Sequence, residues 1–412
     1  MNAQPQVPLS ADALRGWKYL RLLDPLLTRL HDSGTQRDRA GNRSLHFDQY
    51  CALVLLMLFN PMIRSLRSLQ QASQLKKVQK KLGCPRTSLG SLSESANVFD
   101  PERLKGIIAE LSPQLQTVSH DDRLRDLRGT LTLVDATLVN ALPSMTEASL
   151  LKDQKGSALV KWRLHTHFEV DRYVPTRIDV TEAAGGDGDE RAVLERAIEP
   201  DRLYVMDRGY AKFGLFNRIV ATGSSYVCRL RDNSNYDVVQ EAPLSDAGLA
   251  QRVLQDAQVI IGKSSKQAAK PDHTIRVITI AIKPHREKGL SSRSSHQGST
   301  GAGSDGVLRL ATNLLDVPAD VIALIYFYRW TIEIFFRFLK QLLGCRHLIS
   351  YSQSGIEIQT YCAIIACMLL SLWTGKKPTR RTYEMICFYF MGMADEEEVL
   401  QHIAKLKDQE AD

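Results

Sequence analysis

Three carboxylates stand out by their surroundings. Asp135 interrupts an apolar, β-rich run, TLTLVDATLV (130–139), and Asp207 closes a second, RLYVMDRGY (202–210). Glu333 lies in the aromatic segment YFYRWTIEIFFRFLKQLLG (326–344). A carboxylate within an apolar element is costly to bury unless something positive meets it. Three of them brought together suit phosphodiester chemistry. Two Mg²⁺ ions roughly 3.5–4 Å apart serve both the attacking and the leaving oxygen of an in-line displacement. Mg²⁺ keeps several waters and needs few protein carboxylates, with the scissile phosphate completing its shell. The expected cofactor is Mg²⁺, two ions, with Mn²⁺ as a substitute.

The segment around Glu333 is the most informative. At 100° per residue, Tyr326, Arg329, Glu333, Arg337 and Lys340 share a narrow stripe. Phe327, Tyr328, Ile332, Ile334, Phe335, Phe336, Phe338, Leu339, Leu342 and Leu343 fill nearly all the rest. A surface helix has a broad polar face, so this one is expected to be largely buried. An i, i+4 ion-pair ladder through Arg329, Glu333 and Arg337 is the competing account of the stripe. A carboxylate framed by three cations and a tyrosine points instead to anions arriving from outside. Arg and Lys would grip phosphate oxygens, and Glu333 would ligate metal.

The positioning elements follow from periodicity and breakers. The first ~115 residues read as helices at 12–31, 47–59, 64–83, 86–98 and 101–115, broken at Gly34, Pro61, Gly83-Cys84-Pro85 and Asp100-Pro101. Helix 64–83 carries Arg64, Arg67, Lys76, Lys77, Lys80 and Lys81, either a solvated face or a phosphate-docking surface. Strands are predicted at 130–139, 160–170, 174–180, 202–210 and 225–231, with helices near 189–198 and 212–221. The order is β-β-β-α-β-α-β, and Asp135 and Asp207 converge if the first and fourth strands are neighbours. Open α/β sheets place sites at strand carboxyl ends. Residues 232–306 break the pattern, with a strand-like piece at 273–282 and a low-complexity loop at 290–306. Gly301-x-Gly303-x-x-Gly306 in that loop lacks the flanking strand and helix of a dinucleotide site. A long helix from Pro318 to about Leu343 follows, then helices at 356–373 and 379–407.

Composition sets the outer bounds. The 412 residues are 44% hydrophobic and 24% charged, enough for two or three domains with large cores. A net charge of +7 suits a polyanionic partner. Seven cysteines, odd in number and never in Cys-x-x-Cys, argue against a disulfide framework or structural zinc. His165 and His167 share a strand face, but no third zinc ligand accompanies them. The amino-terminal residues lack a secretory pattern, and the apolar runs 51–59 and 361–373 are too short to span a bilayer. A soluble, intracellular protein with no membrane partner is expected.

Tyr326-x2-Arg329-x3-Glu333-x6-Lys340 resembles the Tyr-Arg-Glu-Lys signature of insertion-sequence-four family transposases of the Asp-Asp-Glu type. LVDATLV around Asp135 and VMDRGY around Asp207 resemble that family's other two catalytic blocks. The likeness spans roughly residues 125–375. It implies an α/β ribonuclease H-like catalytic core (126–231 and 307–375) carrying a β-rich insertion (232–306). A helical DNA-binding domain (1–125) would precede the core and a helical region (376–412) would follow it. It implies cut-and-paste transposition by a homodimer that synapses terminal inverted repeats and joins them to target DNA, in a bacterial, nucleoid-associated cytoplasmic setting. By carry-over, Asp135, Asp207 and Glu333 are the catalytic metal ligands. Tyr326, Arg329, Trp330, Arg337 and Lys340, with Arg208 beside Asp207, are the DNA-binding set. Relatives that excise through a DNA hairpin clamp a flipped base on an insertion-domain tryptophan. No tryptophan lies between Trp162 and Trp330 here, and Tyr226 or Tyr236 could take its place.

Two other readings stay open: a non-transposing nuclease on the same core, and a catalytically inactive DNA-end-binding inhibitor or decayed copy. Intact carboxylates count against the latter. A Ser/His/Asp hydrolase is a weak third, since there is no Gly-x-Ser-x-Gly.

Overall fold

The computed structural model describes residues 23–31, 38, 41–117, 121–140, 149–152, 158–182, 186–263, 269–282, 306–343, 349–350 and 352–408. Its amino-terminal part is helical: α1 (Asp24–Thr28), α2 (Phe47–Phe59), α3 (Leu66–Ser73), α4 (Lys76–Leu82), α5 (Leu89–Val98) and α6 (Glu102–Leu111). Residues 12–22 of the first predicted helix lie outside the described residues. The helix expected over 64–83 is two. The chain leaves α3 at Gln74, and the Ser73 hydroxyl accepts the Thr87 N–H at 3.3 Å instead of facing solvent. The predicted helix over 101–115 ends as a tight turn at Ser112–Gln114, where Pro113 cannot donate.

The sheet follows: β1 (Thr130–Asn140), β2 (Ser149–Lys152), β3 (Ala158–Glu169), β4 (Val174–Glu182), α7 (Glu190–Arg196), β5 (Arg202–Met206), α8 (Phe213–Ala221) and β6 (Ser225–Arg229). Strand β2, paired antiparallel to β3, was not anticipated. The segment after β6 contributes β7 (Tyr236–Glu241), α9 (Asp246–Ala250), β8 (Val253–Ile261) and β9 (Ile275–Ala281), before β10 (Val307–Thr312). These strands join the same ten-stranded sheet, in the order β2-β3-β1-β5-β6-β10-β9-β8-β7, with β4 on β3. Of the low-complexity loop, only Gly306 is among the described residues.

Alternation along each strand sends side chains into two cores. Leu131, Leu133, Leu203, Val205 and Val227 join a large core with the helices. Val134, Tyr204, Met206, Tyr226 and Cys228 join a smaller one with α8. The molecule is therefore a mixed α/β fold with helices on both faces of one sheet.

The chain ends in α10 (Ala319–Phe327), α11 (Trp330–Leu343), α12 (Gln353–Thr374), α13 (Arg380–Met391) and α14 (Glu396–Asp408). Gly392, at φ 74°, splits the helix expected at 379–407, a conformation that glycine adopts without strain. Helix α12 corrects the apolar run read as too short for a membrane. At 22 residues it is long and apolar enough to cross one, yet its most apolar window is 83% buried. It packs against α2, α6 and β4, capped by the Ser352 hydroxyl on the Gly355 N–H and by left-handed Gly375.

Candidate active site

Strands β1 and β5 are parallel neighbours in which Val134 stands opposite Met206. The next residue on each is Asp135, still paired with Thr166 of β3, and Asp207, just past the end of β5, so the two aspartates stand at matched positions. Asp135 shares the parity of Leu131 and Leu133, and Asp207 that of Leu203 and Val205. Both therefore project on the face that packs against the larger helical layer, where α11 contacts β1. Sequence alternation alone would have given that side, once the two strands were known to be adjacent.

Asp207 is fixed by the turn it caps. Its Oδ1 accepts the Gly209 N–H at 2.7 Å. That is why the strand predicted to reach Tyr210 stops at Met206 and turns at Arg208–Tyr210. A Cβ on Gly209 would lie 2.9 Å from the same oxygen, so a side chain there would force the carboxylate to shift. The Cys228 thiol donates to the Asp207 carbonyl at 3.3 Å, tying the turn to β6.

Glu333 arrives on α11, and here the expected single helix from 318 to 343 is two. Thr331 and Ile332 bond to Tyr328 and Arg329, three residues back, at 2.8 and 3.3 Å. This tightened turn parts α10 from α11 and holds Arg329. The Arg329 guanidinium spans two elements: Nη2 meets Glu333 Oε1 at 2.7 Å and Nη1 meets Asp135 Oδ2 at 3.5 Å. It also lies 5.8 Å from the centre of the Tyr326 ring. Burial works against its charge, but Tyr326, Glu333 and Asp135 outweigh that and raise its pKa further. Burial lifts the Tyr326 hydroxyl to about 12, against the pull of Arg329 and Arg229.

Asp135 is the perturbed group. Its side chain is 21% exposed. Burial pushes its carboxyl up to about 7; Arg329 and the Ala136 N–H pull it down, while Asp207 and Glu190 push it further up. Burial is thus the leading cause, and the Arg329 guanidinium offsets it only in part. Among the described residues, no three His, Cys, Asp or Glu side chains are already grouped to hold a metal ion. Asp135 and Asp207 are brought together, and Glu333 is linked to Asp135 through Arg329, not directly.

Two contributors were missed in the sequence. Glu190, the first residue of α7, raises the pKa of Asp135 and is itself raised by burial and by Asp207, with Arg163 opposing at 3.5 Å. Tyr210 is 1% exposed, its hydroxyl has no partner among the described residues, and Glu190, Asp135 and Asp207 all act on it. In the sequence, Gly188-Asp189-Glu190 reads as a turn and cap opening the helix near 189–198, and Asp189 does cap α7 through the Arg191 N–H at 3.0 Å.

The remaining expected residues fall around this centre. Trp330 is 54% exposed and Arg337 is exposed, while Lys340 is half-buried. Arg208 ion-pairs with Asp232 at 3.6 Å. Exposed Phe327 and Ile334 flank Trp330, giving an apolar strip beside the carboxylates. Tyr226 cannot serve as a base clamp: it is fully buried, stacked on Phe216 at 4.3 Å, with its hydroxyl on His273. Half-buried Tyr236 starts β7. His165 and His167 are core residues, the first 2.8 Å from the Thr181 hydroxyl, and burial lowers their pKa to about 4 and about 3. The six described cysteines are buried and unbridged.

Two aspartates at matched register on adjacent parallel strands, Asp135 within β1 and Asp207 just past the end of β5, are joined by a glutamate from a later helix in an acidic site. The chain belongs to the family described as Transposase DDE domain, which it matches over residues 127–369. It is 27% identical over 212 residues to a putative transposase, y4zB, of Sinorhizobium fredii, covering 51% of this chain and 52% of that one. It is 23% identical over 309 residues to the probable transposase for insertion sequence element IS5377 of Geobacillus stearothermophilus, covering 74% and 72%. The chain thus spans about half the length of the first relative. A cryo-EM structure of a piggyBac transposase synaptic complex with hairpin DNA aligns over 96% of this chain and 86% of that one, with 9% identity and a TM-score of 0.43.

Proposed function

We propose that this chain cuts DNA at the ends of an insertion sequence and joins those ends to target DNA, on a ribonuclease H-like core of the insertion-sequence-four type. The observation that carries the reading is the matched register of Asp135 and Asp207 on adjacent parallel strands, with Glu333 tied to the first through Arg329. The residues fit a divalent cation. Carboxylate oxygens are the hard donors that Mg²⁺ takes, and Asp135 is lifted to about 7 by burial and by neighbouring carboxylates, a strain that positive charge would relieve. Asp135, Asp207 and Glu333 would hold two Mg²⁺ ions, with Mn²⁺ as a substitute. Such ions supply charge stabilisation at the phosphate and activation of the attacking hydroxyl.

The protein's own part is positioning. Gly209 and the turn it closes aim Asp207. The tightened turn before α11 presents Arg329, and the next two turns present Arg337 and Lys340 to the phosphates of a transposon end. Trp330, exposed beside them, is suited to stacking on a base where the end is distorted. The exposed cations Arg64, Arg67, Lys76, Lys77, Lys80 and Lys81 supply a sequence-independent hold on flanking duplex. A homodimer that pairs two ends in the cytoplasm, on the nucleoid, completes the proposal.

The test is cleavage and joining in vitro with Mg²⁺ and a labelled fragment carrying the element's own terminal repeats. Cutting at the repeat ends and joining to a plasmid is expected, with Glu333→Gln retaining end binding and losing both. Cutting without joining would indicate a non-transposing nuclease. Binding without cutting in Mg²⁺ or Mn²⁺ would indicate an end-binding protein that has lost its chemistry.

A further inference from the structure

We infer that, without DNA, Arg329 occupies the Asp135 and Glu333 carboxylates that would hold a divalent cation, so that cation and DNA end bind cooperatively. This rests on the proposed metal role of those carboxylates and adds how the site is kept closed to cations until DNA arrives.

Geometry comes first. Two nitrogens of one guanidinium reach carboxylates on two different elements, at 2.7 Å to Glu333 and 3.5 Å to Asp135. Carboxylates that would hold a cation are thus held by a side chain of the protein. The three groups are 17%, 21% and 34% exposed, so the bridge is largely shielded from water. Charge comes second. Arg329 meets two carboxylates at once, Asp135 and Glu333, while the neighbouring Glu190 is met by Arg163 at 3.5 Å. One positive charge is thus shared between two carboxylates, as a placeholder for a dication would be.

The route out is also visible. Arg329 lies in the turn where three-residue hydrogen bonds replace four-residue ones, between exposed Phe327 and exposed Trp330. A tightened turn within a helical run is a common hinge. Phosphate competes well for a guanidinium, because its oxygens accept the paired N–H donors as a carboxylate does. A DNA phosphate at the rim would draw Arg329 from Asp135 and Glu333 and free both for the cation. Linkage then makes the effect mutual, the end raising cation affinity by the factor by which the cation raises end affinity.

The test reads cation binding and not turnover. Free Mn²⁺ is followed by electron paramagnetic resonance during titration of the full chain, with and without a pre-cut terminal duplex that offers no bond to cleave. For the wild type, the duplex is expected to tighten Mn²⁺ at least tenfold. Arg329→Gln is expected to bind Mn²⁺ at least tenfold more tightly than wild type without duplex, and to gain little when duplex is added. Arg329→Lys, which keeps the charge, should stay near wild type. Arg329→Met, which keeps the apolar stem, replaces the Gln variant if that does not fold. Carboxylate-dependent Mn²⁺ binding that is no tighter in the Gln or Met variant without duplex overturns the inference and leaves the proposed site standing. If the wild type binds no Mn²⁺ that Asp135→Asn or Asp207→Asn removes, with or without duplex, the proposed site itself fails.

Discussion

Replacing Asp135 by Asn should stabilise the protein, and only above a definite pH. The Asp135 carboxyl titrates near 7 in the folded chain against an ordinary 3.8, because burial and neighbouring carboxylates disfavour its charge. Below pH about 4 the group is protonated folded and unfolded, and it contributes no difference. Between about 4 and 7 the folded chain keeps a proton that the unfolded chain has lost, so stability falls as pH rises. Above 7 the whole penalty is present. Three pH units of difference correspond to about 4 kcal/mol. Asparagine has the same shape, retains an oxygen for the Ala136 N–H that Asp135 accepts at 2.8 Å, and carries no charge. The variant should therefore gain up to about 4 kcal/mol over wild type at pH 8 and little at pH 4.5. Urea midpoints in EDTA at a series of pH values measure this. A gain of equal size at both ends, or a less stable variant at pH 8, would refute the claim that Asp135 is held at the expense of stability.

Gly209→Ala should keep the fold and lower cleavage at least tenfold, since its Cβ would enter the space of Asp207 Oδ1; unchanged cleavage with unchanged melting would show that the turn does not aim that carboxylate. Arg276→Met should cost about 3–5 kcal/mol, because Asp256 is left buried without its partner at 2.6 Å, while the double variant with Asp256→Leu should recover most of it. Denaturation midpoints of both variants decide that. Lys340→Ala should weaken end binding and reduce the salt slope of its affinity by about one counterion, measured by fluorescence anisotropy across salt concentrations.

The parts of this molecule that could be read from sequence are those set by short-range pattern. Clean alternation gave β3, apolar runs gave β1 and β5, and Asp189 with its glycine gave the cap of α7. The carboxylates were legible because each is a polar exception within an apolar element. What sequence could not show depends on sheet order. Glu190 is remote along the chain from Asp135, and it bears on the site only because α7 follows β4 back across the sheet. The continuation of the sheet through β7, β8 and β9 was hidden for a related reason: the breakers at 232–236 look the same whether a new sheet starts or an old one extends. The split at Tyr328–Arg329 was invisible because every residue there is compatible with helix, and the ion pairs across space show why the turn can tighten. Tyr226 was read as an available ring, since an aromatic in a strand carries no local mark of which face it takes.

The order in which the site's parts occur along the chain has a consequence for synthesis. Asp135 and Asp207 leave the ribosome early, on strands that can pair as soon as β5 follows β1. Glu333 comes only after β7, β8, β9 and β10, and α12, which packs against α2 and α6, comes later still. At translation rates of about 5–20 residues per second, the interval between the second and third carboxylates is on the order of ten seconds. During it, the nascent chain carries two aspartates with neither Glu333 nor its core helix. The acidic site is complete only once the last helices close over the sheet.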